Sequence, residues 1–350
     1  MLKISVIGVG SISSMHIEAV QANAKAELVA FCDINEARLK EKGANYGVTQ
    51  LYVDYKDLLA NDAIDAVIIC TWNDSHVEIA TAALEAGKHV FVEKPLSRQM
   101  TDEARKLGDL AKTTDKIASV GMVRRYADNA RVLKQWIDQG NMGDIYYGKA
   151  SLLRRLGHPG GWFGKQSISG GGPMVDLGVH LLDITWYLMG KPRPVTVSAN
   201  TTNYLGGRDH IGYLSAYKAA DQLDEPSDVE DFANALIRFE NGASLYIETS
   251  YAMHTPQDEL LIQLAGSKGG AVLEPSLKLI TEANGVILNA EPQMDYPGFH
   301  EHAYSREIDA FINACVEGTA NETPIADGLT VLSMLDAIYQ SAGQKQELRL

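Results

Sequence analysis

The 350-residue sequence is poor in cysteine, with only Cys32, Cys70 and Cys315. None is spaced like a zinc site or a disulfide framework. They are expected to be buried free thiols of a reducing compartment. Long apolar runs are also missing. No stretch approaches the roughly 18 residues of a membrane-spanning helix, so a membrane partner is not expected. The opening run 4–9 is too short for a secretory leader and is broken by Gly8 and Gly10, so it reads as a strand. Positive charge is scarce. Thirty-one Lys and Arg against 45 Asp and Glu give a net charge of -14. Such a surface repels nucleic acid and anionic membranes, yet one helix N-terminus can still hold a phosphorylated ligand. A cytoplasmic protein follows. With 45% hydrophobic and 22% charged residues, it has the makings of a sizeable globular core.

The length suggests two domains. Up to residue 121, short apolar runs at 3–7, 27–32, 50–52, 66–70, 89–92 and 117–120 alternate with amphipathic stretches such as 75–86 and 101–113. That alternation predicts right-handed βαβ units and a doubly wound parallel sheet. From residue 122 to 350 the pattern changes. Helices are predicted near 128–138, 174–189, 304–317 and 328–342, and strands at 144–153, 232–239, 243–251, 259–265 and 271–273. Asn241-Gly242 between two of these is a hairpin signal, because both turn positions need positive φ. The expected fold class is α/β: a Rossmann dinucleotide-binding domain over 1–121, then an α+β domain over 122–350 with a large, mostly antiparallel sheet. The polar segment 204–230 reads as a long loop.

Gly8-Val9-Gly10-Ser11-Ile12-Ser13 closes the first strand and opens a helix. The first glycine permits a tight turn, the second lets a pyrophosphate approach the backbone, and the helix N-terminus supplies N–H groups. Asp33 ends the second strand, twenty residues after Ser13. An acid there accepts from ribose hydroxyls and repels a 2′-phosphate, which favours NAD over NADP. Arg38 is the residue that would serve NADP.

Two further places carry chemistry. Glu93-Lys94-Pro95 ends the fifth strand, at the edge where such sheets bind ligands; a solvated surface lysine is the plain alternative. Gly170-Gly171-Gly172-Pro173 precedes a helix on which Asp176, His180, Asp183 and Tyr187 recur at four, three and four residues and so share a face. The Asp176–His180 pair reads as an oriented general base, as metal ligands, or as a buried structural pair. No other motif completes a metal site. Oxidation of a carbinol needs a base for the hydroxyl proton and a cation beside the developing alkoxide. His180 with Asp176, and Lys94, are candidates for those roles.

These motifs, with Thr71-x-Asn73-x-x-His76 and Gly121-Met122-x-Arg124-Arg125-Tyr126, resemble the glucose–fructose oxidoreductase / inositol dehydrogenase / MocA family over nearly the whole chain. The resemblance implies an NAD(P)-dependent dehydrogenase acting on a secondary hydroxyl of a sugar, sugar derivative or inositol. It implies catalysis by Lys94, Asp176 and His180. It puts cofactor contacts at Ser11, Ile12, Asp33, Thr71, Asn73, His76, Glu93 and Met122, with Trp162 near the cofactor. Arg124 and Tyr126 join Lys94, Asp176 and His180 on the substrate side. A homodimer or homotetramer through the C-terminal sheet is also implied.

The sequence departs from the family pattern at Trp72 and Val123, where Pro and Asn are frequent. The loop 204–230 is long, with Asp209, His210 and Tyr213 as further candidates for a substrate or a neighbouring subunit. An NAD-dependent glycosidase and a non-catalytic dinucleotide-sensing regulator are the alternative functions.

Overall fold

The computed structural model describes residues 1–208, 210–215, 217–219 and 226–350. They form two compact units. Met1–Met122 with Tyr304–Leu332 make the first, and Val123–Ala303 with Ser333–Leu350 the second.

The chain begins β1 (Leu2–Ile7), α1 (Ser13–Ala22), β2 (Ala26–Cys32), α2 (Glu36–Tyr46), β3 (Gln50–Tyr52), α3 (Tyr55–Leu59), β4 (Ala66–Ile69), α4 (His76–Glu85), β5 (His89–Val92), α5 (Asp102–Thr113) and β6 (Ala118–Val120). The six strands are parallel, in the order β3-β2-β1-β4-β5-β6. The winding direction reverses between β1 and β4, which opens a crevice at their C-terminal ends. All four residues of β4 are buried, as expected for a strand with helices on both faces. Asn35, Asp54 and Thr101 cap α2, α3 and α5 by accepting from backbone N–H groups of the first turns.

Next come α6 (Asp128–Asp138), β7 (Ile145–Leu153), the single turn α7 (Gln166–Ser169) and α8 (Val179–Leu188), which a π-helical turn, Met174–Gly178, precedes. Seven strands follow: β8 (Pro194–Thr202), β9 (Phe232–Phe239), β10 (Ser244–Ser250), β11 (Glu259–Gly266), β12 (Gly270–Glu274), β13 (Lys278–Ala283) and β14 (Val286–Ala290). The chain ends with α9 (Ala303–Glu317), α10 (Ile325–Gln344) and β15 (Leu348–Arg349). Nine strands of the second unit form one sheet, ordered β14-β13-β12-β11-β7-β10-β9-β8-β15. Every pairing is antiparallel except β7 with β10. The β9–β10 hairpin turns at Asn241-Gly242, with Gly242 at φ 85°.

The structure departs from the expected outline in three ways. Residues 304–332, expected in the second domain, group with the first unit. Ile308, Phe311 and Ile312 of α9 are buried in one core with Ile4, Val6, Phe31 and Phe91, and Val120 N–H donates to the Thr323 carbonyl at 2.8 Å. The helix expected over 174–189 starts with π winding. The strands β8, β13, β14 and β15 lie outside the expected set.

Candidate active site

The glycine turn after β1 is shaped by its neighbours. A Cβ on Gly8, whose φ is +86°, would stand 2.7 Å from the Cys70 carbonyl carbon and oxygen. Only glycine fits there. A Cβ on Gly10 would meet nothing within 4 Å, so this backbone faces open space. Ser13, in place of a third glycine, is buried and its hydroxyl donates to the Gly10 carbonyl at 2.7 Å. Ser11 and Ile12 lead into α1, whose N-terminus favours an anion.

Asp33 is buried at the end of β2. Its Oδ2 accepts from Val9 N–H and its Oδ1 from Asn35 N–H, both at 2.8 Å. An η-nitrogen of Arg38 lies 3.8 Å from Oδ2. The carboxylate thus ties the glycine turn to the second strand. Each oxygen keeps a second lone pair for a ribose hydroxyl. The open face at Gly10, the helix N-terminus and this acid suit an adenine dinucleotide.

The loops after β4 and β5 lie side by side in the same unit. Ser75 Oγ is 2.8 Å from Thr71 Oγ1 and 2.9 Å from the Trp72 carbonyl, so a serine closes the turn that carries Trp72. Asn73 and Met122 are buried. His76 is buried, with Nδ1 2.8 Å from the Pro95 carbonyl and Nε2 3.0 Å from the Thr71 carbonyl. Burial pushes its pKa down from the ordinary value, against the opposing pull of these two carbonyls, Glu93 and Asp74. Glu93 is buried too. Its Oε1 lies 2.6 Å from His16 Nε2, and its Oε2 accepts from Lys94 N–H at 3.0 Å. Burial alone would raise the Glu93 carboxyl, but His16 and Lys94 outweigh it and hold the group below its ordinary value. Lys94 is half-buried on the turn after β5.

In the second unit the triple glycine serves close packing. A Cβ on Gly171 would fall 2.2 Å from Tyr339 Oη, and one on Gly172 would fall 2.2 Å from the Glu230 carbonyl oxygen. The Glu230 carboxylate accepts from Gly172 N–H at 2.8 Å, Met174 N–H at 3.1 Å and Tyr339 Oη–H at 2.7 Å. It therefore satisfies the start of the helix that carries Asp176 and His180. Burial raises Glu230 above the ordinary carboxylate value, and its hydrogen bonds from Tyr339, Gly172, Met174 and its own N–H offset this only in part.

Asp176 lies in the π turn and His180 in the first turn of α8, both half-buried. Their four-residue step therefore crosses from π to α winding. Single π turns recur at functional sites. Tyr251 Oη–H donates to Asp176 Oδ2 at 3.0 Å.

Asp183 and Tyr187, further along this helix, both meet Arg125. Asp183 takes a two-pronged contact from Arg125, Nε to Oδ2 at 2.9 Å and an η-nitrogen to Oδ1 at 2.5 Å, with both side chains buried. The Arg125 guanidinium also sits 4.6 Å from the centre of the Tyr187 ring. Asp183 and Tyr187 thereby fix α8 in place.

Arg124 reaches Glu274 at 3.3 Å and covers the Phe299 ring, while Val123 and Tyr126 are buried. Trp162 stacks on Phe163, centroids 4.0 Å apart. Of the loop candidates, His210 and Tyr213 are exposed and Asp209 lies outside the described residues. Among the described residues, no three His, Cys, Asp or Glu side chains group to hold a metal ion, and no helix is long and apolar enough to cross a membrane.

Residues 2–122 match the oxidoreductase family with an NAD-binding Rossmann fold, and residues 130–272 match the GFO/IDH/MocA C-terminal domain. The D-glucoside 3-dehydrogenase of Escherichia coli is 32% identical over 99% of this chain and 97% of its own. The chain belongs to the Gfo/Idh/MocA family. It is an NAD-binding oxidoreductase. Another relative of this Gfo/Idh/MocA protein is the myo-inositol 2-dehydrogenase of Thermotoga maritima, 26% identical over 100% of this chain and 98% of that one. The fold is shared with a levoglucosan dehydrogenase solved with NADH, at a TM-score of 0.86 and 24% identity, covering 99% and 98% of the two chains.

Sequence reasoning misses His16, Glu230, Tyr251 and Tyr339 in this Gfo/Idh/MocA protein. A polar His16 among apolar neighbours of α1 is a legible signal. The triple glycine signals that something approaches closely. Nothing local names Glu230 or Tyr339, which arrive from 58 and 109 to 168 residues away along the chain.

Proposed function

We propose that this protein oxidises a secondary hydroxyl of a sugar, sugar derivative or inositol with NAD, or runs the reverse reduction, through Lys94, Asp176 and His180. The observation that carries the reading is the helix start: Asp176, fed by the Tyr251 hydroxyl, lies one π-to-α turn before His180 on a helix pinned by Glu230. Bound NAD supplies the hydride acceptor. His180 takes the hydroxyl proton, Asp176 orients the imidazole and stabilises its charged form, and Lys94 donates to the oxygen as negative charge builds.

Gly8, Gly10, Ser11, Ile12 and Asp33 hold the dinucleotide, with Thr71, Asn73, Met122 and Trp162 on its nicotinamide side. Arg38 neighbours the ribose and already pairs with Asp33, which supports NAD over NADP. Arg124 and Tyr126 shape the substrate side. The names of the relatives, which act on glucosides and inositols, support the substrate class. The metal reading of Asp176 and His180 lacks a third ligating side chain among the described residues.

A second copy of the chain docking on the nine-stranded sheet, as a dimer or tetramer, is supported by exposed Tyr146, Val286, Ile287 and Leu288. The free thiols of Cys32, Cys70 and Cys315 support a cytoplasmic setting. The test is a panel of inositols, aldoses, glucosides and nucleotide sugars with NAD or NADP, followed by NADH absorbance. Net NADH with a polyol or sugar supports the proposal. Release of a leaving group without net NADH would identify glycoside cleavage instead, and dinucleotide binding with no turnover a sensing regulator.

A further inference from the structure

The turn that presents Lys94 is held from both sides by buried groups. On one side a chain of contacts runs from His16 Nε2 to Glu93 Oε1 at 2.6 Å, and from Glu93 Oε2 to the Lys94 N–H at 3.0 Å. On the other, His76 Nδ1 sits 2.8 Å from the carbonyl of Pro95, the next residue. All three side chains are buried: His16 is 0%, His76 1% and Glu93 6% exposed.

The His16 ring is boxed edge-on by Phe91 and Tyr304, with centroids 5.2 and 5.7 Å away. Its Nδ1 has no hydrogen-bond partner among the described residues. Among the described residues, Glu93 is the hydrogen-bonding partner of this ring. A carboxylate only accepts, so the Nε2 must carry the proton of that contact.

The His76 ring is likewise committed. Both of its nitrogens face backbone carbonyls, one on each of the two loops after β4 and β5. A neutral imidazole has a single N–H, and burial favours the neutral form. The shorter contact, to Pro95, is the better claim on that proton.

Each Glu93 oxygen and each His76 ring nitrogen has a partner in the protein, and both side chains are almost fully covered. We propose that His16, Glu93 and His76 are positioning residues that act on the reaction through Lys94. This rests on the reading of Lys94 as catalytic. A lysine has four rotatable side-chain bonds, and fixing its main chain on both sides limits how far the ammonium can stray. Displacement of a catalytic group by about 1 Å can cost roughly a hundredfold in rate.

The experiment compares His16→Phe, His16→Gln, Glu93→Gln, Lys94→Met and the double variant His16→Phe/Lys94→Met. Turnover at saturating NAD and substrate is measured together with the NAD dissociation constant by fluorescence and the melting temperature without ligands. His16→Phe fills the apolar box but removes the donor, and should lower kcat on the order of ten- to a hundredfold while NAD affinity stays within about twofold. His16→Gln, which keeps an N–H donor, should recover much of the loss. Glu93→Gln keeps an acceptor for Lys94 N–H but loses the charge, and should fall between. In the Lys94→Met background, His16→Phe should cost nothing further, because the group it positions is gone.

The proposal is overturned by unchanged kcat in His16→Phe, by losses that add in the double variant, or by weakened NAD binding with kcat intact. Should His16→Phe fail to fold, Glu93→Gln alone and combined with Lys94→Met decides by the same criteria. Full turnover in Lys94→Met would instead remove the catalytic reading itself, a result distinct from an inactive Lys94→Met beside an unaffected His16→Phe.

Discussion

The hydroxyl of Tyr251, fully buried on the strand side of the second unit, donates to Oδ2 of Asp176 at 3.0 Å. Burial first, and the Asp176 charge second, push the phenol far above its ordinary value, so it remains a donor throughout the neutral range. Tyr251→Phe removes that one hydrogen bond and little else. A hydrogen bond to a charged group contributes about 1.5–3 kcal/mol, so kcat should fall on the order of tenfold to a hundredfold with NAD affinity unchanged. Steady-state kinetics beside a binding titration check this, and an unaltered kcat would remove Tyr251 from the account.

Gly8 and Gly10 make opposite predictions. Gly8→Ala forces a Cβ to 2.7 Å from the Cys70 carbonyl at positive φ, and should destabilise the fold by about 3 kcal/mol or more. Gly10→Ala meets no protein atom within 4 Å. It should leave stability within about 0.5 kcal/mol of the parent. It should nonetheless weaken NAD binding by about tenfold or more, since a methyl group occupies the space the pyrophosphate needs. Urea unfolding and NAD titration of both variants separate the two effects. Equal NAD affinity in Gly10→Ala would place the dinucleotide elsewhere.

Asp33 carries the cofactor preference. Asp33→Ser removes the acid that repels a 2′-phosphate and the carboxylate 3.8 Å from Arg38. The ratio of kcat/KM for NAD to that for NADP should drop by at least about tenfold, the scale of one charge-assisted contact. An unchanged ratio would mean that neither residue meets the adenosine ribose.

Acid sensitivity has a buried source. His89 Nδ1 accepts from Ile117 N–H at 2.9 Å, which keeps that nitrogen unprotonated. Burial, aided by Lys116, lowers its pKa from 6.5, and burial lowers that of His76 as well. The unfolded chain then binds more protons just below pH 6.5 than the folded one. The stability these residues contribute is complete above that pH and is lost as the pH falls towards their folded values. Glu230 and Glu274, raised by burial, act in the opposite sense at lower pH. His89→Asn keeps an acceptor for Ile117 and cannot titrate. Its melting temperature should fall less steeply between about pH 6.5 and 5. An identical slope would clear His89 of the effect.

The first unit was largely legible because buried parallel strands read as unbroken apolar runs, as at 66–69. β14 gave no such signal, since all five of its residues are exposed and no face alternates inward. The apolar face of α9 was visible in sequence, but not which core it would join. At the candidate site, Asp33 and the glycines were readable from local spacing. The π turn was not, because an i, i+4 pattern looks the same until the winding is known. Arg125 carries no local sequence signal of its role. Its partner Asp183 stands 58 residues away, and no periodicity links them.

His180 is proposed above to accept the substrate's hydroxyl proton. Turnover by His180→Ala, measured as NADH produced at saturating NAD and the best substrate of the panel, tests it most directly. The account predicts a loss of about a hundredfold to ten-thousandfold, the usual worth of a general base, with the NAD dissociation constant and melting temperature close to the parent's. Full turnover in His180→Ala would contradict it.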